Sequence, residues 1–93
     1  GAAVSADSWR ELPSETHIRH WCLRLHKLRL WVTHGHLPHE GWRWALRSEG
    51  GDLLTDGALA CEETPPLGLE RVLRQARQEA AQALADESKG LLL

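Results

Sequence analysis

The sequence predicts one α+β domain, in which a three-stranded antiparallel meander packs against one long C-terminal helix. Residues 42–47 alternate apolar and polar side chains with the period of two that is typical of a half-buried strand. A glycine-containing turn at 48–52 separates them from further strand-forming sequence. Beyond residue 64, apolar residues recur every three or four positions, which is the spacing of a helix face.

The composition is that of an ordinary globular domain. Of the 93 residues, 42% are hydrophobic and 26% are charged, and the aromatic residues are five tryptophans with no phenylalanine or tyrosine. Tryptophan and leucine must therefore fill the large core positions. No stretch approaches the roughly 20 apolar residues of a membrane span. Because two cysteines, Cys22 and Cys61, are few for a secreted domain, we expect a cytoplasmic protein and leave their pairing open.

The N-terminal segment is the ambiguous part of the chain. We expect residues 1–13 to be a disordered tail, residues 14–90 to form the domain and residues 91–93 to be an apolar tail. Residues 14–27 fit either a helix or a strand. The favoured interpretation is a strand over Arg19–Thr33 with a bulge near His26 and Lys27, because the apolar residues change parity there.

The remaining elements follow in order. After the strand at 42–47, residues 53–61 are expected to form a third strand with a bulge at Asp56–Gly57. The helix is expected to start at Pro65 after an N-cap at Thr64, and to end at Lys89–Gly90. Its core-facing stripe consists of Leu69, Val72, Leu73, Ala76, Ala80, Ala83 and Leu84.

No arrangement of residues indicates a catalytic site, and we expect neither an enzyme nor a cofactor. A histidine-rich loop at His34, His36 and His39 offers an alternative function as a metal-binding or pH-sensing site, since zinc accepts three histidines. A polar turn explains the same residues, and carboxylates that would support a metal site are scarce nearby.

The charges are unevenly distributed along the chain. Residues 1–47 carry a balance of +3 and residues 48–93 a balance of −5, within a net charge of −2. The basic half suggests a nucleic-acid-binding alternative, in which arginines contact phosphates beside stacking tryptophans. Its contact residues would be Arg19, Arg24, Lys27 and Arg29.

The favoured function is a non-catalytic protein-interaction module. Tryptophan and arginine are enriched at interaction hot spots, and a small sheet leaves one face uncovered. We expect this face to bind a protein partner or a second copy, giving a homodimer, with no membrane involved. The expected contact residues are Arg29, Trp31, Arg43 and Arg47.

Overall fold

The computed structural model describes residues 9–35 and 41–92, with side chains described as far as residue 86. One antiparallel sheet is followed by a C-terminal helix, so the α+β class is confirmed. The sheet has five strands rather than the three expected, and their order in the sheet follows the chain. The elements are β1 (Trp9–Leu12), β2 (Arg19–Leu25), β3 (Leu28–Gly35), β4 (Gly41–Ser48), β5 (Leu53–Leu59) and α1 (Leu69–Leu92).

One additional strand arises because the segment Arg19–Thr33 folds back on itself. His26 and Lys27 form a two-residue turn instead of a bulge, and Leu25 pairs with Leu28 across it. His26 has a φ of 53°, a conformation that turns of this type require and that glycine or asparagine usually supplies. The reversal itself produces the change in parity, since Leu25 and Leu28 lie on the same face.

The other additional strand is β1, which lies within the segment assigned to the disordered tail. It pairs antiparallel with β2, and Trp9 is opposite Leu23. Trp9 packs against the core from the same face. Four residues are too few for a periodic pattern to identify a strand, which explains the wrong boundary. Residues 1–8 of the expected tail lie outside the described residues.

The bulge in β5 lies at Leu54 and not at Asp56–Gly57. Leu46 pairs with Thr55 and Arg47 with Leu53, so that Leu54 is the additional residue. Gly57 instead provides space for a tryptophan on β4. A Cβ atom at this position would lie 2.7 Å from Nε1 of Trp44, so the ring packs where any larger residue would place its side chain.

Helix α1 begins four residues later than expected. Pro65 precedes Pro66, and a residue before proline is disfavoured in the α region. The helix therefore begins only after Gly68. The Gly68 carbonyl accepts a hydrogen bond from the Val72 N–H at 2.9 Å, which closes the first helical turn. At its other end α1 continues through Gly90, and Leu91 and Leu92 belong to it rather than to a tail. No helix in the described ranges is both long enough and apolar enough to cross a membrane.

The core lies between α1 and one face of the sheet, which we call the inner face. The expected stripe of α1 is confirmed: two of its three alanines, Ala76 and Ala80, are buried and permit close approach to the strands. Trp42 stacks on Trp21 at 5.6 Å between ring centroids and donates its indole N–H to the Glu63 carbonyl at 2.7 Å. The inner-face core residues are Trp21, Leu23, Leu30, Val32, Trp42, Trp44, Leu46 and Leu59.

Candidate binding site on the outer sheet face

The opposite side of the sheet, which we call the outer face, is not covered by α1. Because side chains alternate along a strand, the residues between the core positions of each strand project from this face. The strand register arranges them in three rows across the sheet. The first row holds Arg24, Arg29, Arg47 and Leu53; the second holds Arg10, Cys22, Trp31, Ala45 and Asp56; the third holds Leu12, His20, Thr33, Arg43 and Ala58.

The first row, which we call the arginine row, places three like charges on neighbouring strands. Arg29 is the direct cross-strand partner of both Arg24 and Arg47. None of the three forms an ion pair with a carboxylate in the described part of the chain. Like charges directly opposite each other destabilise a sheet, so this row lowers stability unless an anion lies beside it.

Two of these guanidinium groups are held by backbone carbonyls. Arg29 donates from Nη1 to the carbonyls of Leu28 at 2.9 Å and His26 at 3.2 Å. Arg47 donates from Nη1 to the Gly51 carbonyl at 2.9 Å. Each guanidinium has five N–H donors, so both keep donors that can bind a ligand.

Trp31 occupies the centre of the outer face, one row above Arg29. Its cross-strand neighbours, Cys22 and Ala45, are small, so its ring is only half-buried. The His20 ring packs edge-on against Trp31, with 5.8 Å between the ring centroids and an interplanar angle of 77°. An indole ring in this position offers a π surface to a flat ligand.

A shallow pocket of about 460 Å³ opens between Trp31 and the arginine row. The three arginines of the row and Arg10 line it, and so does Glu49. The turn that carries Glu49 is fixed in place, because the Glu49 N–H donates to the Lys27 carbonyl at 2.9 Å. The pocket therefore combines four cationic side chains with one aromatic ring.

The structure places all four expected contact residues, Arg29, Trp31, Arg43 and Arg47, on the outer face. Arg43 lies in the third row and does not line the pocket. Arg10, which sequence reasoning missed, does line it. No pattern could have identified Arg10, because β1 is too short to show an alternation.

The residues expected to contact nucleic acid are divided by the fold. Arg24 and Arg29 belong to the arginine row, and Lys27 lies in the β2–β3 turn. Arg19 shares the parity of the inner face, where its guanidinium binds Glu11 at 2.8 Å and lies 5.2 Å from the Trp21 ring centroid. Arg19 therefore contributes to joining β1 and β2 rather than to the outer face.

The histidine-rich loop does not supply a metal site within the described residues. His34 is a buried residue of the inner face, only 4% exposed, and the centroid of its ring lies 4.6 Å from that of the Trp42 ring. It is therefore not available on an exposed loop, as the metal hypothesis requires. His36 and His39 lie outside the described residues. Across 9–35 and 41–86, no group of three potential ligands could hold a metal ion.

The two cysteines are free and do not pair. Burial raises the pKa of the Cys22 thiol on the outer face, against the smaller opposing effects of Arg29 and Arg24. A raised pKa keeps the thiol protonated near neutral pH, where it is a poor nucleophile. Cys61 accepts a hydrogen bond from Arg71 at 3.3 Å.

Comparison with known proteins identifies no relatives. No protein-family model, curated protein or solved structure matches this chain. The outer face is therefore the feature from which a function can be inferred.

Proposed function

We propose that this chain is a non-catalytic binding module that holds single-stranded nucleic acid on the outer face of its sheet. The observation that supports this proposal is the arginine row, which lies beside the accessible ring of Trp31 on a face that α1 leaves uncovered. Proteins that bind single strands combine a positively charged surface with aromatic side chains on which bases stack.

The charge of the outer face favours an anionic partner. Its three rows contain five arginines and a single acidic residue, Asp56, although the whole chain carries a net charge of −2. The outer face is thus locally positive in a chain that is negative overall. A polyanion would neutralise the repulsion that the fold leaves within the arginine row.

Trp31 favours nucleic acid over an acidic protein segment. The acidic side chains of a peptide would be bound by the cations, and they have no flat ring of their own to stack on the indole. A base can stack on such a ring, which contributes about 1–3 kcal/mol per base in single-strand complexes. Arginine also suits phosphate better than lysine does, because its planar group forms two parallel hydrogen bonds.

Self-association through this face, the function favoured by the sequence, is less compatible with the charges. A twofold interface brings the same patch of both subunits together. Two outer faces, each with five arginines, would then oppose each other, and juxtaposed like charges cost several kcal/mol. The homodimer remains a prediction that the experiment below also tests.

The test is titration of a fluorescent oligothymidine with the intact chain at 50 and 200 mM salt, followed by anisotropy. If about four phosphates are neutralised, affinity should fall by a few tens-fold between these salt concentrations. Arg24→Gln should weaken binding and reduce the salt slope by about one contact. The matched control is Arg74→Gln, because Arg74 is an exposed residue on α1.

Two results would contradict the proposal. One is the absence of binding at 50 mM salt, and the other is an equal loss of affinity in Arg24→Gln and Arg74→Gln. Light scattering of the free chain provides the remaining comparison. If the free chain forms a dimer that resists salt and that Trp31→Ala dissociates, self-association becomes the better-supported function of the outer face.

A further inference from the structure

We infer that the pocket beside the arginine row binds a terminal phosphate monoester, so that the module recognises the phosphorylated end of a strand. This inference rests on the proposed function and specifies its ligand. It depends on three features of the pocket: the concentration of cations, the closure of one side by a fixed turn and the distance from the row to Trp31.

The first feature is the number of cations around one small volume. Four of the five outer-face arginines line the same pocket of about 460 Å³, and only Arg43 lies apart. A phosphodiester within a strand carries one negative charge, whereas a monoester carries about 1.5 to 2 near neutral pH. Four arginine side chains that line one pocket with a single carboxylate, that of Glu49, therefore suit the more highly charged terminal group. Those of Arg29 and Arg47 are already oriented by backbone carbonyls, which reduces the entropic cost of binding.

The second feature is the turn at 48–52, which closes one side of the pocket. The Ser48 N–H donates to the Asp52 carbonyl at 2.9 Å, and the Asp52 N–H donates to Ser48 Oγ at 3.1 Å. The Glu49 N–H joins the turn to the β2–β3 hairpin through the Lys27 carbonyl. Because Glu49 lines the same pocket, its carboxylate repels a terminal and an internal phosphate alike. The preference for an end comes instead from the turn itself, which obstructs a strand that continues on this side.

The third feature is the position of Trp31 relative to the row. Arg29 and Trp31 are two residues apart on β3, which corresponds to about 6.7 Å along the strand. This separation suits a phosphate and the base of the same nucleotide. The terminal nucleotide would therefore place its phosphate at the arginine row and stack its base on Trp31.

The experiment compares three oligothymidines of one length, with a 5′-phosphate, with a 3′-phosphate and with hydroxyl groups at both ends. The dye is attached at the end that is not being compared, or internally for the hydroxyl form. Affinities for the intact chain are measured by anisotropy at pH 7.5 and one salt concentration. We expect one phosphorylated oligonucleotide to bind at least tenfold more tightly than the hydroxyl form, and the arm that shows the gain identifies the end that is bound.

Variants locate the effect within the outer face. The double substitution Arg29→Gln, Arg47→Gln should abolish the preference for the phosphorylated end and leave weaker binding of all three oligonucleotides. Arg43→Gln is the matched control: it removes an outer-face arginine outside the pocket, so the preference should be retained. Far-UV circular dichroism of each variant verifies that it is folded.

The outcomes separate this inference from the proposed function. Equal affinity for all three oligonucleotides, or a preference that persists in the double variant, overturns the terminal-phosphate inference and leaves single-strand binding intact. If none of the oligonucleotides binds, both are overturned. Titration with inorganic phosphate then distinguishes a pocket for another phosphorylated partner, which binds the ion, from a face that binds no phosphate.

Discussion

The two faces of the sheet use the same strands and similar residue types for opposite purposes. The inner face carries Trp21, Trp42 and Trp44 in a core that α1 covers, and the outer face carries Trp31 among arginines. On β3, the consecutive residues Leu30, Trp31 and Val32 alternate between the two. The difference shows that the face on which a tryptophan lies, which depends on its position along the strand, decides whether it is a core residue or a candidate binding residue.

The inner face should determine stability, and this gives the largest expected effect. Leu30 is fully buried between β3 and its neighbours, so Leu30→Ala should lower the free energy of unfolding by about 2–5 kcal/mol. The adjacent Trp31→Ala, on the outer face, should cost about 1 kcal/mol or less, the range for cross-strand pairs. Urea unfolding followed by far-UV circular dichroism measures both. Equal losses would mean that the outer face is also part of the packed core.

The elements that the sequence predicted correctly have long periodic patterns. The alternation from Trp42 to Arg47 is β4, and the apolar stripe of α1 faces the sheet. The two additional strands were missed for different reasons. β1 has only four residues, and the turn at His26–Lys27 contains none of the glycine, asparagine or aspartate that usually identify a hairpin.

The same reasons limited prediction of the candidate site. Parity on β3 and β4 was sufficient to place Arg29, Trp31, Arg43 and Arg47 on one face. Recognising the arginine row also required the β2–β3 hairpin, since only that pairing brings Arg24 opposite Arg29. Long-range pairing of this kind is not encoded in a local pattern. His34 was mispredicted in the opposite direction: the sequence assigns it to a polar loop, but it occupies the last inner-face position of β3.

The next prediction concerns the arginine row, because repulsion between its like charges should lower the free energy of unfolding of the domain. Arg24 is exposed, opposes Arg29 and has no hydrogen-bond partner in the described part of the chain. Arg24→Gln should therefore raise the free energy of unfolding by a few tenths to about 1 kcal/mol in low salt while it weakens binding. The gain should shrink in 1 M salt, where charges are screened within about 3 Å. Chemical unfolding at both salt concentrations measures it, and a loss of stability in low salt would show that the row is not under repulsion.

The smallest expected effect on stability comes from the inner side of β2, the strand that also carries Arg24. Arg19 lies five residues from Arg24 but is paired, since it binds the Glu11 carboxylate through Nε and Nη2 at 2.8 and 2.9 Å. The Arg19 hydrogen bond holds the pKa of Glu11 below its usual value, and the charges of Arg19 and His20 add to this effect. A carboxyl group whose pKa is lowered in the folded state stabilises the fold above its unfolded pKa, about 4.3 for glutamate.

That contribution is lost as the pH falls through the folded pKa of Glu11. Because both side chains are more than one-third exposed, we expect it to amount to only a few tenths of a kcal/mol. Glu11→Gln should therefore be slightly less stable than the parent chain at pH 6, and the difference should shrink below about pH 4.3 and disappear once the pH is below the lowered pKa of Glu11. Arg19→Gln should show the same dependence, and the double variant should add nothing further. Thermal unfolding across this pH range tests the pair. A difference between parent and Glu11→Gln that grows towards low pH would show that the bond does not stabilise β1 against β2, and the contrast between a paired inner arginine and an unpaired outer one would then fail.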